Sequence, residues 1–307
     1  VDTLSAPRLV EYWEQDPCQP EVIWEEEMAA MGAPVDMLRG ATDKKGGFVK
    51  VRSKFKVGEY EISVLETNNA TTLDTWLKKN KYKIPDGAAP YFKPYIEAGN
   101  YFFVAKVDAT KVRYENGAAV LSPLRFNYQS EEFSLPIRLG MINSKGTQDL
   151  LVYILAPNQR YETANYKNVT IPTNIEVGPK IKGAFGEFYE ALLSRTFEEN
   201  PKAVVTEYAW GAQSCDPCPS GILGGAGLQQ ADILTLGNDV VNQPPSGWVL
   251  TRLHARYAKD GIGQDLVFKT AEPLLGGREV RKADGSLEKR SSIGSTNNFQ
   301  GRYIIRN

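Results

Sequence analysis

Three cysteines and a single histidine are the residues of this chain best suited to thiol or metal chemistry. Cys215 and Cys218 sit in Gln213-Ser214-Cys215-Asp216-Pro217-Cys218-Pro219, and Cys18 ends a second Asp-Pro-Cys at residues 16–18. Three chemistries are open to them. A Cys-x-x-Cys that follows a strand exchanges disulfides when the start of a helix stabilises its first thiolate. Here Pro219 and the glycine-rich residues 220–227 stand where that helix would begin. Cys18, Cys215, Cys218 and His254 add up to a Cys3His zinc set, but no spacing constrains it, and a lone strand histidine is more often packed or solvated. A disulfide from Cys18 to Cys215 or Cys218 would close a loop of about 200 residues, worth about 4–5 kcal/mol of denatured-state entropy on the chain-entropy model. Both Asp-Pro-Cys segments combine a turn with a cysteine at the edge of irregular chain, where two loops can meet without breaking a sheet ladder. The residues favour this third reading, with the bond serving stability.

Other reaction signatures are missing. There is no Gly-x-Ser-x-Gly elbow, His-Glu-x-x-His helix or Walker loop, and a His-based triad could form only around His254. Residues 221–227 lack the Lys-Ser/Thr of a phosphate loop, and Glu25-Glu26-Glu27 reads as a solvated charge run. Asn69 and Asn168 begin Asn-x-Thr sequons, which matter only where a glycosylating secretory pathway acts. The enzyme question stays open at this stage, with no catalyst favoured over a catalyst, and no cofactor is implied.

These residues must be placed by the rest of the chain. Ser5 as N-cap, with Leu9, Tyr12 and Trp13 at helical spacing, predicts a short helix ending at Pro17. Residues 28–47 lose periodicity and read as a long loop. Alternation around Gly58 predicts two antiparallel strands, with Tyr60, Ile62 and Val64 on one side. Thr71 and Asp74 stand at capping-box spacing before Leu73, Trp76 and Leu77, which predicts a helix up to Asn80. A second helix carries Phe92, Tyr95 and Ile96 to Gly99, with Pro94 required in its first turn. The aromatic run of Tyr91, Phe92, Tyr95, Tyr101, Phe102 and Phe103 is read as core. Sequential hairpins follow over 101–108, 122–129, 134–142 and 148–156, with turns at Asn116-Gly117 and 143–146. Phe185, Phe188, Tyr189, Leu192 and Phe197 stripe one long helix over 184–198. Strands at 203–210, 248–258, 266–271 and 301–307 complete the chain, with a turn at 283–286.

Strands in blocks, not alternating with helices, predict an α+β fold of mostly antiparallel sheets with a few packed helices. The division expected is an N-terminal helix and loop over 1–47, a first α+β half over 48–160 and a second over 161–307, the halves also being readable as one continuous domain. With 36 Lys+Arg against 37 Asp+Glu, neither nucleic acid nor an anionic membrane surface is favoured as a partner. No window reaches the 18 or so consecutive apolar residues of a membrane span.

The segments 76–85, 95–108, 124–156, 214–219, 250–257 and 297–306, in this order and spacing, resemble the bacterial family catalogued as domain of unknown function 2330. The resemblance implies an exported protein, extracellular, periplasmic or on the cell surface, for which no activity is established. By this resemblance the family pattern would start before Val1 and run past Asn307, so self-association, or association with a missing portion of the precursor or another protein, is expected. The resulting expectation is an exported binding or structural protein without catalytic activity. The alternatives are a thiol-disulfide oxidoreductase at Cys215 and Cys218, a Cys3His zinc-stabilised protein, or a hydrolase with a carboxylate site.

Overall fold

The computed structural model describes residues 1–12, 47–115, 118–142, 146–215, 227–244, 246–257, 263–278 and 286–306. The long loop, Cys18, Cys218, Glu25-Glu26-Glu27 and the turns at 116–117, 143–145 and 283–285 lie outside them. The fold is α+β with mostly antiparallel sheets, as the blocks of strands predict. The chain forms two compact units: Val1–Met37, Glu132–Leu135 and Gly146–Asn307 make the first, and Leu38–Glu131 with Pro136–Lys145 the second.

The chain opens with one helical turn, α1 (Asp2–Ser5), and then strand β1 (Arg8–Tyr12) in place of the amphipathic helix that Leu9 and Tyr12 suggested. The reason is local and then tertiary. Ala6 precedes Pro7 and is extended, with φ −61° and ψ 146°, because the proline ring disfavours helical backbone before it. The strand then pairs in parallel with the last strand of the chain, Arg8 opposite Arg302 through Tyr12 opposite Arg306.

The second unit is built on β2 (Val49–Val57), β3 (Tyr60–Thr67) and β4 (Phe102–Val107), an antiparallel sheet in that order. Gly58, at φ +54°, makes the turn between the first two. Helices α2 (Ala70–Lys79) and α3 (Ala89–Glu97) cover one face through Leu65, Leu73, Leu77, Phe92, Tyr95 and Phe102. The cap of α2 is Asn69, whose side chain accepts from the Thr72 amide at 2.9 Å, and not the pair Thr71 and Asp74. Pro94 lies in the second turn of α3, since Pro90 already occupies its start; a nine-residue helix loses only one hydrogen bond by this. Strands β5 (Arg113–Glu115) and β6 (Ala118–Val120) form an antiparallel ribbon.

Residues 121–130 form no strand, against expectation. The backbone groups of Ser122 are taken by side chains: its amide donates to Glu59 at 2.6 Å and its carbonyl accepts from the Tyr60 hydroxyl at 2.6 Å. The expected strand over 134–142 is likewise cut short. Pro136 ends β7 (Ser134–Leu135), and one helical turn, α4 (Arg138–Met141), follows.

In the first unit, β12 (Val204–Gly211) and β13 (Trp248–Tyr257) lie side by side in a larger sheet that β8 (Gln148–Pro157) closes at one edge. The intervening strands are β9 (Arg160–Thr163), β10 (Asn168–Thr170) and β11 (Ile175–Glu176). After β13 come β14 (Leu266–Ala271), β15 (Leu274–Gly276), β16 (Ser292–Ile293), β17 (Asn298–Gln300) and β18 (Arg302–Arg306). Strand β14 joins β7 and β9 in a second sheet, and β18 lies between β1 and β11 in a third, which is parallel. The pairings are distant in sequence: β8 pairs with β13, so the run of sequential hairpins is replaced by long-range ladders. Helix α5 (Phe185–Glu199) lays Tyr189, Leu192, Leu193 and Phe197 on the cluster of Ile171, Val205, Ala209 and Phe299. No helix among the described residues is long and apolar enough to cross a membrane.

Candidate functional site

Every residue of β12 from Val204 to Trp210 is buried, Glu207 included. On one side the strand pairs with β13, Thr206 opposite Leu253 and then Tyr208 opposite Arg252, which leaves Glu207 as the extra residue of a β-bulge. On the other side β12 changes partner at the same point, pairing with β10 over 204–206 and with β17 over 208–210. The Gly301 amide donates to the Glu207 carbonyl at 3.0 Å and bridges the change.

The bulge aims a fully enclosed carboxylate at His254 and Arg252, which share a face of β13 two residues apart. Glu207 accepts from Arg252 Nε at 2.6 Å, from His254 Nδ1 at 2.7 Å and, through a very short bond, from the Tyr189 hydroxyl of α5. Arg252 continues the cluster: its Nη1 donates to Asp2 of α1 at 2.6 Å, and Tyr153 of β8 donates to the same oxygen at 2.5 Å. His254 Nε2 stands 3.3 Å from Asp149 without an aligned hydrogen bond. Asp149 is forked by Arg256 at 2.7 and 3.2 Å, and Arg256 also donates to Ser194 at 2.8 Å.

Burial would raise the Glu207 pKa, but the bonds from His254, Arg252 and Tyr189 outweigh it and hold the carboxyl below its ordinary range. The Tyr153 hydroxyl lowers that of Asp2. Burial, then the bond to Asp2, pushes Tyr153 up to about 12, and burial beside Glu207 pushes Tyr189 up strongly. A carboxylate with three donors on it and no exposed surface is a brace that ties α1, β8, β12, β13 and α5 together. Sequence reading missed it, although Glu207 in Val204-Val205-Thr206-Glu207-Tyr208-Ala209-Trp210 was a signal: a lone charge inside an apolar strand must find a partner.

Of the sequence candidates, Cys215 is a disulfide cysteine, half-buried against the cluster of Leu4, Tyr208, Trp210 and Trp248. Cys18 and Cys218 lie outside the described residues. His254 stands opposite Val205, whereas Cys215 lies past the far end of β12, where Gly211 faces Val249. Among the described residues no group of three or more His, Cys, Asp or Glu side chains is placed to hold a metal ion. Of the sequon asparagines, Asn69 caps α2 and Asn168 bonds Thr163 and Tyr166 through both ends of its amide.

A second feature opens to solvent. Strands β9 and β14 diverge from β10, β12, β15 and β16 around a cleft of about 590 Å³, within the range of small-molecule sites. Arg160, Glu162 and Lys269 line it from β9 and β14, and Thr170, Thr206, Leu274 and Ser291 from β10, β12, β15 and the residue before β16. Lys269 is directly opposite Glu162 in the ladder, and Arg160 is two residues before it on the same face.

A family model described as an uncharacterized protein conserved in bacteria (DUF2330) matches residues 1–269. No curated protein and no solved structure matches the chain. The chain belongs to this bacterial family of uncharacterised proteins.

Proposed function

We propose that this family member is an exported binding or structural protein of the cell envelope or extracellular space, which works by holding a ligand or partner and not by catalysis. The observation that carries the reading is the closure of the Glu207 cluster. The chain's one histidine donates to a carboxylate with no solvent exposure, so the groups best suited to acid–base chemistry have no room for a substrate. The cleft at Arg160 and Lys269 is the place for a small ligand. Chemical modification of His254 in the native chain tests the reading; a histidine as reactive as a free one would overturn it.

Export is supported by the cysteine chemistry, since a stable disulfide belongs to an oxidising compartment. We assign the Cys215 bond to Cys18, where it would tie the two Asp-Pro-Cys segments together. Non-reducing peptide mapping should recover that pair. A Cys215–Cys218 bond that exchanges readily with small thiols would instead favour the oxidoreductase alternative. Association with itself or with another protein is supported by a series of exposed rings in the second unit, Phe103 on Phe126 at 5.6 Å and Phe126 on Tyr128 at 6.2 Å. Light scattering that finds only monomer, with no co-purifying chain, would count against it.

A further inference from the structure

We propose that the cleft between β9/β14 and β10/β12/β16 binds a neutral polyhydroxylated ligand, a short saccharide in chemical class. This rests on reading the chain as a binding protein and adds the nature of the ligand. Arg160 and Lys269 stand against Glu162 and Glu272 in the cleft, so its lining carries no net charge. Both cations converge on one carboxylate, Arg160 Nη2 at 3.4 Å and Lys269 Nζ at 3.3 Å from Glu162. A charged ligand would have to break these pairs and strand a charge against the protein wall, at a cost in affinity. Neighbouring hydroxyls on a sugar ring need no such exchange. One accepts from a guanidinium or ammonium, and the next donates to the carboxylate between them.

The lining from β10 and the residue before β16 offers the same chemistry. Thr170 and Ser291 hydroxyls lie 2.8 Å apart; one hydrogen lies between them, so the pair keeps a second hydrogen and lone pairs for a ligand. The anchor is rigid. Arg160 is only 6% exposed, and its Nε is fixed on the Glu272 carbonyl, so its position does not have to be ordered on binding. The volume of about 590 Å³ leaves room for more than one ring.

Calorimetric titration of the full chain with maltose, cellobiose, chitobiose and maltotriose tests the proposal, with glutamate, citrate and inorganic phosphate as charged comparisons. At least one saccharide should bind. Lys269→Ala and Ser291→Ala should each weaken it about tenfold or more, the loss expected for one good hydrogen bond, while lowering the melting temperature by no more than about 4 °C. Saccharide binding that both variants leave intact would place the site elsewhere and overturn the proposal. Binding of the charged probes alone, lost in Lys269→Ala, would overturn the ligand class and leave the binding protein standing. Silence from every probe would overturn the class, and a mixed metabolite extract that also fails to stabilise the chain would take the binding reading with it.

Discussion

Glu207→Ala should destabilise the first unit by about 3–5 kcal/mol, the cost of breaking a buried ion pair by removing one partner. The substitution leaves a void beside Arg252 Nε and His254 Nδ1, both residues 7% exposed, with Arg252 keeping only Asp2 and His254 only the more distant Asp149. Tyr189→Phe removes one donor from the same cluster and should cost about 1 kcal/mol. Urea denaturation of the three proteins measures both losses; a Glu207→Ala variant within about 0.5 kcal/mol of the parent would mean that the cluster braces nothing. The sign of the pH dependence follows from the same bonds. Folding lowers the Glu207 pKa from its ordinary 4.5, and those of Asp2 and Asp149 from 3.8. The unfolded chain therefore binds more protons in acid, and the stability from these groups is complete above about pH 4.5 and is lost as the pH falls through their folded values. Glu207→Ala should flatten that acid limb.

Gly277→Ala should cost about as much by a different mechanism. A Cβ at this position would lie 1.9 Å from the Gln300 carbonyl oxygen and 2.8 Å from Thr173 Oγ1, and the backbone is left-handed at φ +75°. The left-handed conformation alone costs a side chain about 1–3 kcal/mol, and the clash falls on backbone that cannot turn aside. It also falls where Thr173 accepts from the Arg302 amide at 2.9 Å and donates to Gln300 at 2.8 Å, the junction of β17 and β18. Gly58→Ala is the control: φ is +54° with no atom within 4 Å of the added methyl, so about 1 kcal/mol is expected. Equal denaturation midpoints for the two variants would show that the close approach at Gly277 is not maintained.

The parts of the fold that local pattern controls were readable. Helix α5 carries its apolar stripe in consecutive turns, and β2, β3, β8, β12 and β13 alternate or run apolar over eight to ten residues. What distant groups decide was not. Leu9 and Tyr12 have helical spacing, but the free edge of β18, nearly 300 positions on, makes a strand of them. Residues 122–129 have strand composition, but Glu59 and Tyr60 capture the Ser122 backbone from some 60 positions away. The charged cluster is the extreme case. His254 and Glu207 are 47 positions apart, and Asp2 and Arg252 are 250 apart. Neither separation leaves a periodic trace, and the bulge that aims Glu207 needs no special residue. The cleft was equally hidden: Lys269 read only as a polar position of the strand over 266–271, and residues 160–163, which form β9, gave no element at all.

The claim that this chain works by binding, with its acid–base groups enclosed as a brace, is tested most directly by diethylpyrocarbonate modification followed by mass spectrometry. Because the chain has one histidine, imidazole carbethoxylation maps to a single peptide, distinct from any acylated amine or phenol. His254 should stay unmodified in the native protein, over times that fully modify a histidine peptide, and should react at the peptide's rate once the chain is unfolded in urea. Modification of the native chain at the peptide's rate would contradict the account, because it would show an imidazole open to solvent beside Glu207 and available for catalysis.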